Sequence, residues 1–170
     1  MSNTWMNKLS SSKQEHLISK VLGWKVVSGS GSRSNHPGDV ESEDWLGECK
    51  THDSIGHKIV FRSSVWRKIC EEADSKFKFP ALFVDDGSQT IKHTWVMFRN
   101  LPFGEYHLVD FPYTVKKNVS FDSLNMLNLR ISIRETLAVP VVYSVGDTSN
   151  ICLISSLEDF VALFNSLHAG

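Results

Sequence analysis

The sequence has no long apolar run and almost no net charge, and each absence excludes a class of protein. A helix that spans a bilayer needs about 20 consecutive apolar residues, and no stretch of the chain approaches this length. The segment from Met1 to Trp5 lacks the apolar core of a secretory signal, so we expect no such signal. A net charge of −1 excludes a uniformly basic nucleic-acid-binding protein.

Cysteine is also scarce. The three cysteines, Cys49, Cys70 and Cys152, are odd in number, widely spaced and set among apolar residues. A disulfide framework needs paired cysteines and an oxidising compartment. We therefore predict reduced thiols and a cytoplasmic protein, or a phage-encoded one that acts in the host cytoplasm.

The near-neutral total conceals a local contrast of charge. Residues 39–48 carry five acidic side chains and no basic one, whereas residues 50–80 carry seven basic side chains against four acidic ones. Adjacent segments of opposite sign indicate a site within an otherwise neutral chain.

Hydrophobic periodicity and turn residues predict alternating helices and strands. Strands are expected at 24–27, 39–41, 45–50, 80–84, 93–98, 139–145 and 150–154, and helices at about 12–22, 63–76 and 157–167. Ser155 or Ser156 is expected to cap the last helix, with Ser155 and Glu158 forming a capping box. Glycine and serine predict a loop over 28–38. This order predicts an α/β fold with a mixed sheet flanked by helices.

Two of the predicted strands carry a set of residues suited to phosphodiester hydrolysis. If 39–41 and 45–50 form a hairpin, Asp39 lies near Glu48, and alternation places Glu48 and Lys50 on one face with Cys49 on the other. Paired carboxylates suit Mg²⁺, which prefers oxygen ligands and phosphate. A lysine beside them can orient or deprotonate a water, or stabilise charge on the phosphoryl group.

This arrangement resembles the PD-(D/E)XK nucleases, in which an acid is followed at variable distance by (D/E)-X-K. Asp39 and the run Glu48-Cys49-Lys50 fit the motif, and Glu15 lies in the preceding helix, where the family often has another acid. The segments 22–27, 29–32 and 38–40 extend the resemblance to Holliday-junction resolvases of the archaeal type and their phage relatives. Pro37 departs from the pattern, because Gly38 separates it from Asp39.

The resemblance covers residues 12–100 and implies a restriction-endonuclease-like fold. We expect one domain over 1–170, with a nuclease core at about 12–100 and an additional α/β extension at about 100–170. It further implies a Mg²⁺-dependent DNA endonuclease, in which Mn²⁺ can substitute, acting on branched DNA as a homodimer. A restriction or homing endonuclease of the same superfamily remains an alternative, as does a non-catalytic DNA-binding module that keeps the fold.

Several candidate residues have two interpretations. Glu15 is either a metal ligand or the last member of a capping box that begins at Ser12. The loop residues Ser30, Ser32 and Arg33 are either a connection or a phosphate-binding segment, and the resemblance implies a functional serine there. Three basic side chains are either solvated charges or DNA contacts, namely Arg62, Arg67 and Lys68.

The histidines also have more than one interpretation. His52 and His57, together with Cys49, have the spacing of zinc ligands, but there is no nearby fourth ligand. His36 is either a proton carrier or a loop residue.

Overall fold

The computed structural model describes residues 4–27, 38–99, 113–115, 118–120, 139–145 and 148–168. Its helices are α1 (Thr4–Leu22), α2 (Ser63–Ser75) and α3 (Leu157–His168), with a 3₁₀ turn at Ile91–His93. Its strands are β1 (Lys25–Val26), β2 (Val40–Glu41), β3 (Trp45–Lys50), β4 (Val60–Arg62), β5 (Phe79–Asp85), β6 (Thr94–Arg99), β7 (Tyr113–Val115), β8 (Asn118–Ser120), β9 (Val139–Val145) and β10 (Thr148–Ser156).

Eight strands form one mixed sheet in the order β1-β2-β3-β5-β6-β10-β9-β7. The pairs β3–β5 and β7–β9 are parallel, and the other neighbours in this sheet are antiparallel. Strands β4 and β8 pair separately. The prediction of an α/β fold with a mixed sheet flanked by helices is therefore confirmed.

Alternate residues of the central strands pack on opposite faces of the sheet, as period-2 geometry requires. Leu82 and Val84 join the apolar cluster under α2, whereas Ala81 and Phe83 join the cluster that contains residues of α1 and α3. The sheet is therefore buried on both sides. Strand β5 accordingly lacks polar alternation and consists almost entirely of apolar residues.

Helix α2 forms because its apolar residues recur at helical spacing. Trp66, Ile69, Cys70 and Ala73 are its buried residues. Helix α3 begins after Ser156, whose Oγ accepts a hydrogen bond from the Asp159 amide at 3.1 Å. The cap is thus Ser156 with Asp159 at the third helical position, and the predicted pairing of Ser155 with Glu158 is wrong.

Helix α1 begins earlier than predicted. It starts at Thr4, so Ser12 lies inside the helix and cannot be its N-cap. The capping-box interpretation of Glu15 is therefore wrong, because a capping box satisfies the free amides of the first turn only. Within the described part of the chain, no helix combines the length and apolar character needed to cross a membrane.

Strands of the predicted extension continue the central sheet. β10 pairs with β6 from Cys152–Arg99 to Ser156–Trp95. Cys152 and Ile154 enter the cluster under α2, and Leu153 enters the one on the other face. Residues 152–160 therefore contribute to both layers of the core. Cys49, Cys70 and Cys152 are all free cysteines, and all three are buried.

Candidate active site

The hairpin of β2 and β3 positions Asp39 beside the Glu48-Cys49-Lys50 segment. The Asp39 amide donates to the Gly47 carbonyl at 2.8 Å, and the Asp39 carbonyl accepts from the Val27 amide at 2.8 Å. The Asp39 carboxylate then accepts, through Oδ2, a hydrogen bond from the Cys49 amide at 2.9 Å. Main-chain and side-chain bonds therefore hold this carboxylate against β3.

Two glycines allow this close approach. Gly38 has a φ of +74°, a conformation that residues with a Cβ rarely adopt. Its amide donates to Glu72 Oε2 at 3.2 Å, so α2 anchors the residue before Asp39. A Cβ at Gly47 would lie 2.8 Å from side-chain atoms of both Phe83 and Val40. The glycine that separates Pro37 from Asp39 in the sequence is therefore explained by the backbone conformation that this position requires.

Glu48 and Lys50 lie on one face of β3, and their side chains meet. Lys50 Nζ lies 2.6 Å from Glu48 Oε1, with 49% of the lysine side chain and 13% of the glutamate side chain exposed. Cys49 is buried in the cluster on the opposite face. The predicted alternation is therefore present, and it directs a partly buried carboxylate and a partly exposed ammonium group to the same place.

Helix α1 contributes a third carboxylate. The side chain of Gln14 is fully buried, and its Nε2 donates to the Lys50 carbonyl at 3.0 Å. This bond fixes α1 against the end of β3 and brings the adjacent Glu15 towards Asp39 and Glu48. The charges of both residues act on the Glu15 carboxyl group.

The electrostatics of the site reflect burial and crowding of negative charge. Burial first, and then repulsion from Asp39, raises the pKa of Glu15 to about 7. The same two causes raise the pKa of Glu48 in spite of nearby Lys50. For Lys50, burial opposes the charged form, but attraction to Glu48 and Asp39 outweighs it and the pKa is raised. Lys50 is therefore an ammonium group at neutral pH.

The chemistry of these residues fits a divalent cation. Mg²⁺ is commonly held by one or two carboxylates together with water and phosphate oxygens. One oxygen each of Asp39 and Glu48 has no hydrogen bond to the described residues, and burial, followed by repulsion from Asp39, raises the pKa of Glu15 and of Glu48. A cation would relieve that repulsion. Among the described residues, no three His, Cys, Asp or Glu side chains are already arranged around one ion position.

The predicted DNA-binding residues have different outcomes. Ser30, Ser32 and Arg33, like His36, lie outside the described residues. Arg62 ends β4, and Arg67 and Lys68 lie on α2; all three are exposed. Lys68 is close enough for its charge to favour ionised Glu48, and it lies 3.7 Å from Glu72. Arg62 and Arg67 form no ion pair with any residue that the structure describes.

The residues with zinc-like spacing do not converge on one point. Cys49 is buried on the α1 side of the sheet. His52 and His57 instead stack on each other, with ring centroids 4.2 Å apart and planes at 12°. His57 is held by Ser54 Oγ, 2.8 Å from Nε2. A three-ligand zinc site is therefore not formed by these residues.

Two supporting residues were not predicted from the sequence. Gln14 binds the main chain of Lys50, and Glu72 binds the main chain of Gly38. Gln14 occupies a buried helix position where an apolar residue is usual, and this is the one sequence signal that could have identified it. Glu72 gives no such signal, because it resembles any half-exposed helix residue.

We expect Glu15→Gln to stabilise the metal-free protein at neutral and alkaline pH. When folding raises the pKa of a carboxyl group from 4.5 to about 7, the folded protein loses stability as pH rises through that interval. At pH 8 the variant should gain on the order of 1–2 kcal/mol, after allowing for partial exposure. The gain should vanish below the unfolded value of 4.5. Urea unfolding in chelator across this pH range measures it.

Glu71→Gln is the control for this prediction, because Glu71 is an exposed residue of α2 outside the site. It should show no comparable gain at pH 8. Equal unfolding free energies for wild type and Glu15→Gln at every pH would show that Glu15 does not experience the crowded negative charge.

Comparisons with family models, with curated proteins and with solved structures return no match for this chain. The functional inference therefore depends on the geometry and electrostatics of Glu15, Asp39, Glu48 and Lys50 themselves.

Proposed function

We propose that this protein is a metal-dependent DNA endonuclease of the PD-(D/E)XK type. The observation that carries the proposal is the convergence of Asp39, Glu48 and Lys50. Asp39 Oδ2 is bound to the amide next to Glu48 at 2.9 Å, and Lys50 Nζ lies 2.6 Å from Glu48. A hairpin that served only packing would not place two carboxylates and an ammonium group together at the partly exposed end of a sheet.

In the proposed reaction each residue has a defined role. Asp39 and Glu48 would hold Mg²⁺, with Glu15 as a further carboxylate. The cation, when bound, lowers the pKa of a bound water and polarises the scissile phosphate. Lys50, which is charged, stabilises the negative charge that develops on the phosphoryl oxygens. Hydrolysis then forms a bond from water oxygen to phosphorus and breaks the bond from phosphorus to the 3′-oxygen.

The finer proposal is a structure-specific enzyme that resembles a Holliday-junction resolvase and acts as a homodimer. A four-way junction is resolved by two symmetric cuts, which favours a twofold arrangement of identical subunits. Arg62 lines a cleft together with Lys50, and the charge of Lys68 acts on Glu48. With the exposed Arg67 of the same helix as Lys68, these side chains supply positive charge for the phosphates of the DNA.

DNA affinity is expected to fall steeply with salt, because a chain of net charge −1 must bind through this local basic surface. Arg67→Ala should lower the slope of log K against log salt by about one, the value for one phosphate contact. The Lys20→Ala variant removes an exposed lysine of α1 and should leave the slope unchanged. Anisotropy titrations at several salt concentrations measure both slopes, and an unchanged slope for Arg67→Ala would exclude this surface as the footprint.

The function is tested by incubating the protein with Mg²⁺ and two DNAs of the same sequence, a four-way junction and a linear duplex. Cuts in the junction alone support the structure-specific proposal, and cuts at one site in both support a restriction or homing endonuclease. Binding without cuts in either Mg²⁺ or Mn²⁺ would instead identify a non-catalytic module. The control is the same assay in chelator, which should show no product.

A further inference from the structure

A cleft of about 170 Å³ lies directly beside the catalytic motif. Its floor is formed by Leu82 and Val84, which are buried. These residues are the partners on β5 of Glu48 and Lys50, on the same face of the sheet and one strand spacing, about 4.8 Å, away. The cleft is therefore next to the position that the scissile phosphate would occupy.

This cleft has apolar side chains at its floor and walls and cationic side chains at its border. Val60 of β4 and Val65 of α2 are half-buried and form its walls, and the exposed side chains of Lys50 and Arg62 border it. Arg62 forms no ion pair with the described residues. An apolar floor does not suit an anion, whereas a border of two cations does. The occupant should therefore have a flat apolar part and an attached negative charge.

An aromatic ring adds to this arrangement. His52 also lines the cleft, and its ring is stacked against His57 at 4.2 Å. The His57 amide donates to the Asp86 carbonyl at 3.0 Å, and its ring is held by Ser54. These bonds hold His57 in place, and its ring in turn holds the stacked ring of His52. Aromatic side chains held in this way are common platforms for the bases of single-stranded nucleic acid.

From these features we infer that the cleft binds one unpaired pyrimidine of the DNA strand near the cut. A cavity of about 150 Å³ accommodates a single benzene ring, so the volume suits a six-membered base and not a purine. The base would pack on Val65 and stack on the His52 ring while its phosphate meets Arg62. This inference rests on the proposed function and adds DNA with an unpaired pyrimidine, as in a bulge, flap or mismatch, to the substrates that the site can take, because a fully stacked base cannot enter the cleft.

The test is equilibrium binding by anisotropy in Ca²⁺, which we expect to support binding without turnover. The probes are one duplex in four forms: fully paired, with an unpaired thymine, with an unpaired adenine, and with an abasic residue in place of the unpaired base. Wild type should bind the thymine form roughly tenfold more tightly than the abasic form, as expected for one stacked base. The affinity for the adenine form should be close to the affinity for the abasic form. Equal affinity for thymine and abasic forms would overturn the inference.

Val65→Phe fills the cleft and should remove the preference for thymine while leaving affinity for the paired duplex unchanged. Ile55→Phe makes a similar enlargement at an exposed loop residue outside the cleft and should keep the preference. Should Val65→Phe fail to fold, irradiation of wild type with a 5-iodouracil bulge provides a separate measurement. Crosslinks should map to His52, and crosslinks confined to other segments would overturn the inference.

These outcomes separate this inference from the proposed nuclease function. Thymine preference without cleavage in Mg²⁺ or Mn²⁺ would retain the cleft assignment and refute the nuclease. Cleavage without thymine preference would retain the nuclease and refute the cleft assignment. An absence of binding to all four DNAs would refute the cleft assignment, and the nuclease proposal would then be decided by the assay on the four-way junction.

Discussion

Asp39→Asn and Glu48→Gln are each expected to abolish Mg²⁺-dependent cleavage, with single-turnover rates at least about 10³-fold lower than wild type. Both carboxylates would hold the cation, and an amide is a much weaker ligand for Mg²⁺ than a carboxylate. The fold should persist in Asp39→Asn, because the new side-chain amide retains an oxygen that can accept from the Cys49 amide. Affinity for DNA should stay the same or rise, because a negative charge near the phosphates is removed. Single-turnover cleavage and anisotropy binding measure the two effects.

Glu41→Gln is the matched control, since Glu41 lies on the same hairpin but pairs with Lys78 Nζ at 3.0 Å and not with the site. It should keep the wild-type rate. Wild-type rates for Asp39→Asn or Glu48→Gln would remove these residues from the catalytic site.

Lys50→Ala should lower the single-turnover rate by roughly 10²-fold or more, the usual cost of losing one electrostatic donor. The charged ammonium group is held at 2.6 Å by Glu48, and its raised pKa keeps it protonated. Its contribution should be largest when negative charge develops on the phosphate, so the rate should suffer more than binding. Lys50→Arg should rescue poorly, because a planar guanidinium group does not replace a compact ammonium group.

Lys68→Ala provides the comparison, because Lys68 is an exposed lysine near Glu48 whose proposed role is phosphate binding alone. It should weaken binding by about one phosphate contact and leave the single-turnover rate unchanged. Equal losses of rate and affinity in Lys50→Ala would show that Lys50 is only a DNA anchor.

The core of the candidate site was predictable because it is local. Asp39, Glu48 and Lys50 lie within one short hairpin, where period-2 alternation determines which side chains share a face. The same local geometry predicts that Cys49 points away from the site. Short-range hydrophobic spacing similarly predicts α2 and its buried residues, Trp66 and Ile69 among them.

The start of α1 shows where local patterns fail. Ser10-Ser11-Ser12 contains favoured N-cap residues, and the helix nevertheless continues back to Thr4. Cap preference contributes only about 1 kcal/mol, which is too little to make a helix begin at every favourable serine. Glu15 consequently lies within the helix, where a capping role is impossible.

The sequence alone therefore determined the class of fold, the hairpin and the triad of Asp39, Glu48 and Lys50, since these depend on spacings of a few residues. Only the tertiary structure decided that Gln14 binds Lys50 across 36 positions, that Glu72 binds Gly38 across 34, and that β10 lies beside β6. These contacts join distant segments through the burial of two apolar layers. No local periodicity encodes which buried strand a returning chain will meet, because apolar burial is not directional.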